Sequence, residues 1–169
     1  LAISEKISGK IIVTQPRRLA ARSCAERIAS LIGEKPGGRV GLITRYDKIS
    51  GEKIEVITDG VFLRMIQSDP SLSGIDAVIL DEFHERSISS DLSLAFLIDA
   101  KSLIRNDLKI LLMSASLSAD SFKGYFSDWS SVYVEGRSFP VSLKYMPSQK
   151  NEYLEDGICR LVSLALRDL

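Results

Sequence analysis

Ala77-Val78-Ile79-Leu80-Asp81-Glu82-Phe83-His84-Glu85-Arg86 decides how the rest of this chain is read, because four apolar residues end abruptly in paired carboxylates and the only histidine. Such a run suits a strand covered on both faces, and in an open α/β sheet chemistry gathers at the carboxyl ends of the strands. Asp81 and Glu82 are expected at that edge. A strand-end Asp can hold Mg²⁺ through its water shell while the next carboxylate orients or deprotonates a water attacking a phosphate. The structural alternative is an acidic loop cap. Zinc is poorly supplied, since His84 stands alone and Cys24 and Cys159 are far apart in the chain.

Towards the amino terminus, residues 1 to 7 read as the tail of a helix stopped by Ser8-Gly9, and Ile11-Ile12-Val13 as a short buried strand ending in Thr14-Gln15-Pro16-Arg17-Arg18. A helix is predicted from Leu19, with Ala21, Cys24, Ile28 and Leu31 inward and Arg22 and Glu26 paired outside, ended by Gly33 and Pro36-Gly37-Gly38. Val40 to Ile43 and Ile54 to Ile57 read as strands joined by a hairpin-like excursion over residues 44 to 53. Thr58-Asp59-Gly60, taken alone, reads as the cap of a helix that turns Phe62 and Ile66 inward. Asp69 to Gly74 is a loop.

Towards the carboxyl terminus, a helix near Asp91 to Leu103 shows partial amphipathy through Leu92, Ala95, Phe96 and Asp99. A buried strand, Leu108 to Met113, ends in Ser114-Ala115-Ser116, and a helix is expected around Ala119 to Phe126. Val132 to Glu135 reads as a last strand, and Glu152 to about Leu166 as an amphipathic helix with Leu154, Ile158, Leu161 and Ala165 in register. This alternation predicts an α/β doubly wound parallel sheet. Four of its strands end in polar signatures, so one edge is expected to collect every candidate site.

The composition sets bounds on function. With 45% hydrophobic residues the chain can form a core, yet no apolar run approaches the roughly 20 residues of a membrane span. Two isolated cysteines and no visible signal or lipidation motif fit a reducing cytoplasm. Lys and Arg balance Asp and Glu at 22 each, so affinity for nucleic acid must be local. Residues 1 to 27 hold six basic groups against two acidic ones, and residues 76 to 100 hold six acidic against one basic. A phosphate grip beside a metal site would produce this pattern, and so would solvated helix faces.

In order along the chain, the signatures resemble those of superfamily 2 helicases of the DEAH/RHA group. Thr14-Gln15-Pro16-Arg17-Arg18-Leu19-Ala20-Ala21 is similar to motif Ia, Thr58-Asp59-Gly60 to motif Ib, Asp81-Glu82-Phe83-His84 to motif II and Ser114-Ala115-Ser116 to motif III. Phe83, Glu85-Arg86-Ser87 and Glu135-Gly136-Arg137-Ser138-Phe139-Pro140-Val141 look most like the bacterial HrpB-type branch. The resemblance implies a RecA-like sheet of the P-loop NTPase type. It further implies ATP and Mg²⁺ as cofactors, with Asp81 serving the metal, Glu82 the attacking water, and His84 a link to Ser114 and Ser116, which relay the nucleotide state. Without its place in that box, a lone histidine would read as a satisfied core residue. The implied partner is single-stranded RNA, gripped through its backbone by Arg17, Arg18, Arg45, Thr58, Asp59, Gly60 and Arg64. Guanidinium groups and hydroxyls suit phosphate oxygens, whereas Asp59 repels them and fits a cap or a ribose hydroxyl. No aromatic residues interleave the basic positions, which favours sequence-tolerant tracking of the backbone.

Two features depart from the family pattern. Ser116 stands where threonine is usual, keeping the hydroxyl and losing a methyl. No G-x-x-x-x-G-K-[ST] loop occurs, since Gly9-Lys10 is followed by Ile11. The chain is therefore expected to be a truncated first RecA-like domain (1–135), a linker (136–140) and the start of a second RecA-like domain (141–169), inactive alone and completed by the remainder of a helicase. The alternatives are a natural RecA-like module that binds nucleic acid without catalysis, and a Mg²⁺-dependent nuclease using Asp81, Glu82 and Glu85.

Overall fold

The structure is a computed structural model that describes residues 7–116, 129–136, 139–143, 145–147 and 152–167. Most of the helix tail expected at residues 1 to 7 and the whole helix expected around 119 to 126 lie outside the described residues, as do Arg137 and Ser138. The chain divides into two compact units, residues 1–128 and 129–169.

The first unit is built on β1 (Lys10–Gln15), α1 (Arg18–Leu31), β2 (Val40–Ile43), β3 (Lys48–Ile49), β4 (Ile54–Thr58), α2 (Asp59–Ser68), β5 (Ile75–Leu80), α3 (Ile88–Leu103) and β6 (Lys109–Leu112). Its six strands run β3-β2-β4-β1-β5-β6, all parallel except the short antiparallel β3, so the doubly wound α/β sheet is as expected. Apolar β1 lies between two parallel neighbours and buries Ile11, Ile12 and Val13, which is why its sequence does not alternate. Parallel pairing also fixes direction. The carboxyl ends of β2, β4, β1, β5 and β6 must therefore share one rim.

Helix α1 lies on the sheet through Ala21, Ala25 and Ala29, all fully buried. This corrects the expected inner face: Cys24 and Ile28 are only partly buried and Leu31 is exposed. Small side chains at i, i+4 and i+8 let the helix axis approach the sheet, and the bulkier residues are displaced to its flanks. Arg22 reaches across to Asp47 instead of pairing along the helix with Glu26.

Helix α3 is a larger correction. It begins at Ile88, three residues earlier than expected, because Ser87 caps it by accepting a hydrogen bond from the Ser90 amide at 3.0 Å. Its buried residues are Ser90, Ser93, Leu94, Leu97 and Ala100, whereas Leu92, Ala95, Phe96 and Asp99 are exposed. Apolar residues line both sides of this helix, and periodicity alone cannot choose between them. The choice falls to packing against α2, which buries Phe62 and Ile66.

Strand β6 is less buried than its sequence suggests, with Leu111 exposed, as is Met113 just beyond its end; among the described residues it has one neighbour, β5. At the opposite end of β5, the Arg105 guanidinium donates to the carbonyls of Ser71, Leu72 and Ile75 and to Asp107, tying the entry to β5 to the end of α3.

The second unit contains α4 (Leu154–Arg167), with Arg160 paired to Glu152 at 2.8 Å. The strand expected at Val132 to Glu135 is not formed: these residues are irregular and exposed, with no neighbouring strand among the described residues to pair their backbone. No helix among the described residues is long and apolar enough to cross a membrane.

Candidate functional site

Five strand ends follow one another along the carboxyl rim. Gln15 is in register with Thr58 across β1 and β4, Thr14 with Leu80 across β1 and β5, and Leu80 with Leu112 across β5 and β6. The rim therefore reads, in spatial order, the turn 44–47, Thr58 to Gly60, Gln15 to Arg17, Asp81 to Glu85, and Met113 to Ser116. Asp81, Glu82 and Glu85 lie on the β5 side of β1, and Arg45, Thr58 and Gly60 on the β4 and β2 side.

The turn after β5 is tightly built. Glu82 (φ 52°) and Arg86 (φ 49°) both adopt left-handed backbone and bracket a one-turn 3-10 segment, Phe83–Glu85. Each such non-glycine residue costs on the order of 1 kcal/mol or more, so the turn must be held by its surroundings. Fully buried Phe83 anchors it, its amide donating to the Met113 carbonyl at 3.0 Å while the Met113 amide donates to the Leu80 carbonyl at 2.8 Å. Backbone bonds thus join the acidic turn to the segment carrying Ser114, and His84 Nδ1 lies 3.4 Å from Glu82 Oε2. Ser114 Oγ accepts from the Ser116 amide at 3.2 Å, closing a small turn with Ser116 exposed.

Asp81 is gripped from two sides. Oδ2 accepts from Gln15 Nε2 at 2.7 Å and Oδ1 from the Glu82 amide at 2.8 Å. Gln15 is buried and Asp81 half-buried, so this link is only partly open to water; residue type alone did not mark it as a partner of Asp81. A carboxylate with each oxygen already engaged suits an ion that keeps much of its own water, as Mg²⁺ does. No cluster of three or more metal-ligating side chains occurs among the described residues. Beneath Asp81 the Cys24 thiol has a raised pKa, first through burial and then through the Asp81 charge, so it remains a thiol.

Beside the acidic turn, Arg17 pairs with Glu85 at 3.3 Å. Arg18 and Arg22 both bind the Asp47 carboxylate, and Arg45, Gly60 and Arg64 are exposed. Thr58 is the N-cap residue of α2, yet its side chain makes no capping hydrogen bond. Asp59 turns inward: it is buried and accepts from Ser87 Oγ at 3.1 Å, joining the start of α2 to the cap of α3. Its expected place in the phosphate grip is therefore not a surface position. Buried Thr14 Oγ1 makes no well-formed hydrogen bond, although its proximity helps hold the Asp59 charge.

Burial raises the Asp59 pKa above 3.8, against the opposing effects of Ser87 and Thr14. The folded state then holds the proton more tightly than the unfolded chain, so burying charged Asp59 costs stability above the raised value, and this cost vanishes as pH falls towards 3.8. Asp59→Asn removes the titration. The stability of the variant relative to the parent chain is expected to grow as pH rises from 3.8 through the raised value and then to level off, as read by urea unfolding across that window. A difference constant with pH would show that Asp59 titrates alike in both states.

Comparison with known proteins adds to this geometry. No protein-family model matches the chain. It is 47% identical over 163 residues to the ATP-dependent RNA helicase HrpB of Escherichia coli K12, an alignment spanning 95% of this chain and 20% of that protein. The chain is a homologue of the DEAH/RHA helicase HrpB. One crystal structure of E. coli HrpB, a DEAH/RHA helicase, superposes with a TM-score of 0.86 at 47% identity, covering 96% of this chain and 21% of HrpB. A second, described as a DExH-box NTPase, gives 0.74 over 96% of this chain and 20% of its own length. The sheet is thus RecA-like, as in HrpB, and the chain spans about a fifth of the HrpB proteins it matches.

Proposed function

We propose that this chain forms most of the first RecA-like domain of an ATP-dependent RNA helicase, with residues 136–140 as a linker and 141–169 opening a second RecA-like domain. One observation carries the reading: the acidic turn 81–85 and the segment Gln15–Arg17 share a rim and touch, through Gln15 to Asp81 and Arg17 to Glu85. The flank of β6 that has no partner among the described residues, with Leu111 exposed, suits the addition of further sheet from the remainder of a helicase. The reading places its action in the cytoplasm.

Asp81, oriented by Gln15 and the Glu82 amide, would hold Mg²⁺ through water. Mg²⁺ when bound would neutralise charge on the β and γ phosphates of ATP. Glu82 orients and deprotonates the attacking water, and His84 positions Glu82 through the 3.4 Å contact. Met113 carries changes at the turn to Ser114 and Ser116 through its two backbone bonds. On the other side, Arg17, Arg18, Arg45, Arg64, the Thr58 hydroxyl and the Gly60 amide grip phosphates of single-stranded RNA, while Asp59 holds the α2 terminus in place through Ser87. Without a phosphate loop in this sequence, the isolated chain should hydrolyse little ATP.

The test is ATP hydrolysis by the full-length protein containing this chain, with and without single-stranded RNA. Stimulation by RNA is expected. Arg17→Gln should raise the RNA concentration for half-maximal stimulation roughly 10- to 100-fold, the worth of a lost charge-assisted hydrogen bond. RNA binding without any hydrolysis would instead support a non-catalytic module, and metal-dependent strand cleavage without nucleotide a nuclease.

A further inference from the structure

The turn between β2 and β3 stands at the far end of the rim, and it is held with unusual completeness. Thr44 Oγ1 accepts from the amides of Tyr46 at 3.1 Å and Asp47 at 3.0 Å and donates to Asp47 Oδ2 at 2.8 Å, while the Thr44 amide donates to the Asp47 carbonyl at 2.8 Å. The Asp47 carboxylate is bound by Arg18 and Arg22 of α1, and its pKa is lowered chiefly by the Thr44 hydroxyl and then by those arginines. Gly41 and Gly51 close the base of the hairpin, where a Cβ on either would overlap the backbone of the other.

All this rigidity presents a side chain that contributes nothing to the core. Tyr46 is 72% exposed, with the guanidinium carbons of Arg18 and Arg45 at 5.0 and 5.7 Å from its ring centroid. A large aromatic left in water on a fixed turn loses little conformational freedom on binding, and a base can stack on the exposed ring in place of the guanidinium groups that lie over it, leaving those cations for its phosphate. In sequence Tyr46 is 24 residues or more from Arg18 and Arg22; the fold interleaves it with them. Two strand intervals separate it from β1, about 10 Å at the usual spacing, so one strand of nucleic acid can reach both Tyr46 and Arg17.

We infer that Tyr46 is a stacking platform for a nucleobase of a single-stranded nucleic acid, any base serving because each has a π-face. The inference deepens the proposed RNA grip and rests on it: Arg17 holds phosphate, and Tyr46 takes the base of a neighbouring nucleotide. The strand is then read as a chain of flat bases as well as a line of charge.

Fluorescence anisotropy of the full-length protein containing this chain with fluorescein-labelled oligouridine, and with the same strand carrying abasic residues, tests it. Tyr46→Ala should weaken binding of oligouridine about 5- to 150-fold, the range for one lost base–aromatic stack, and Tyr46→Phe should stay within about twofold. On the abasic strand Tyr46→Ala should equal the parent chain, whereas Arg17→Gln should weaken both strands alike. Equal binding of oligouridine by parent and Tyr46→Ala, or an equal loss on both strands, would overturn the platform. A loss with Tyr46→Ala confined to oligouridine but none with Arg17→Gln would keep the platform and remove the phosphate grip. No binding by the parent chain would end both.

Discussion

Replacing Glu82 by glutamine is expected to lower RNA-stimulated ATP hydrolysis about 10²- to 10⁴-fold in the full-length protein while leaving its affinity for RNA unchanged. The assignment to Glu82 is part of the proposed function, and the contacts of the neighbouring carboxylates are compatible with it. Asp81 has each oxygen engaged, by Gln15 and by the Glu82 amide, and Glu85 is paired with Arg17. Glu82 is exposed, on left-handed backbone, and its one carboxylate contact among the described residues is His84 Nδ1 at 3.4 Å. Glutamine keeps size and hydrogen-bonding capacity but cannot take the proton of the attacking water. The amide that holds Asp81 belongs to the backbone, so the metal carboxylate stays oriented in the variant. Hydrolysis within tenfold of the parent rate, measured with saturating RNA, would remove Glu82 from this role.

The second large effect concerns stability. Phe62→Ala should destabilise the first unit by about 3–5 kcal/mol, because a fully buried aromatic is removed from the contact between α2 and the rest of the core. Against a typical total of about 5–15 kcal/mol this is a large fraction. The natural control lies on α3. Leu92→Ala, on a residue 43% exposed, should cost less than about 1 kcal/mol, whereas Leu97→Ala, at a fully buried position, should cost about 2–5 kcal/mol. Urea denaturation separates them. A larger loss for Leu92 than for Leu97 would mean that α3 is rotated from the orientation described.

Leu92 and Leu97 show where sequence reasoning reaches its limit. Both lie on a helix with apolar residues around most of its circumference, so either face satisfies a helical period. Thr58 is a similar case: it occupies the expected cap position, but its hydroxyl is not used for capping. For Asp59 the chemistry of a carboxylate argued against phosphate, and burial against Ser87 supplies the partner that spacing could not identify. Tyr46 corrects the expectation that no aromatic residue interleaves the basic positions: it follows Arg45 directly in the sequence, and the fold adds Arg18, 28 residues away, at its ring.

What the amino-acid order determined by itself is the sheet and its carboxyl rim. Continuous apolar runs ending in polar residues demand parallel strands buried on both faces, and parallel strands must place all their carboxyl ends together. What only the tertiary structure decided is which side chains meet there: Gln15 with Asp81, Arg17 with Glu85, Asp59 with Ser87, Tyr46 with Arg18. These pairs join segments at least 28 residues apart, and a hydrogen bond 2.7 Å long, such as that from Gln15 to Asp81, depends on strand register and helix rotation that no local pattern encodes.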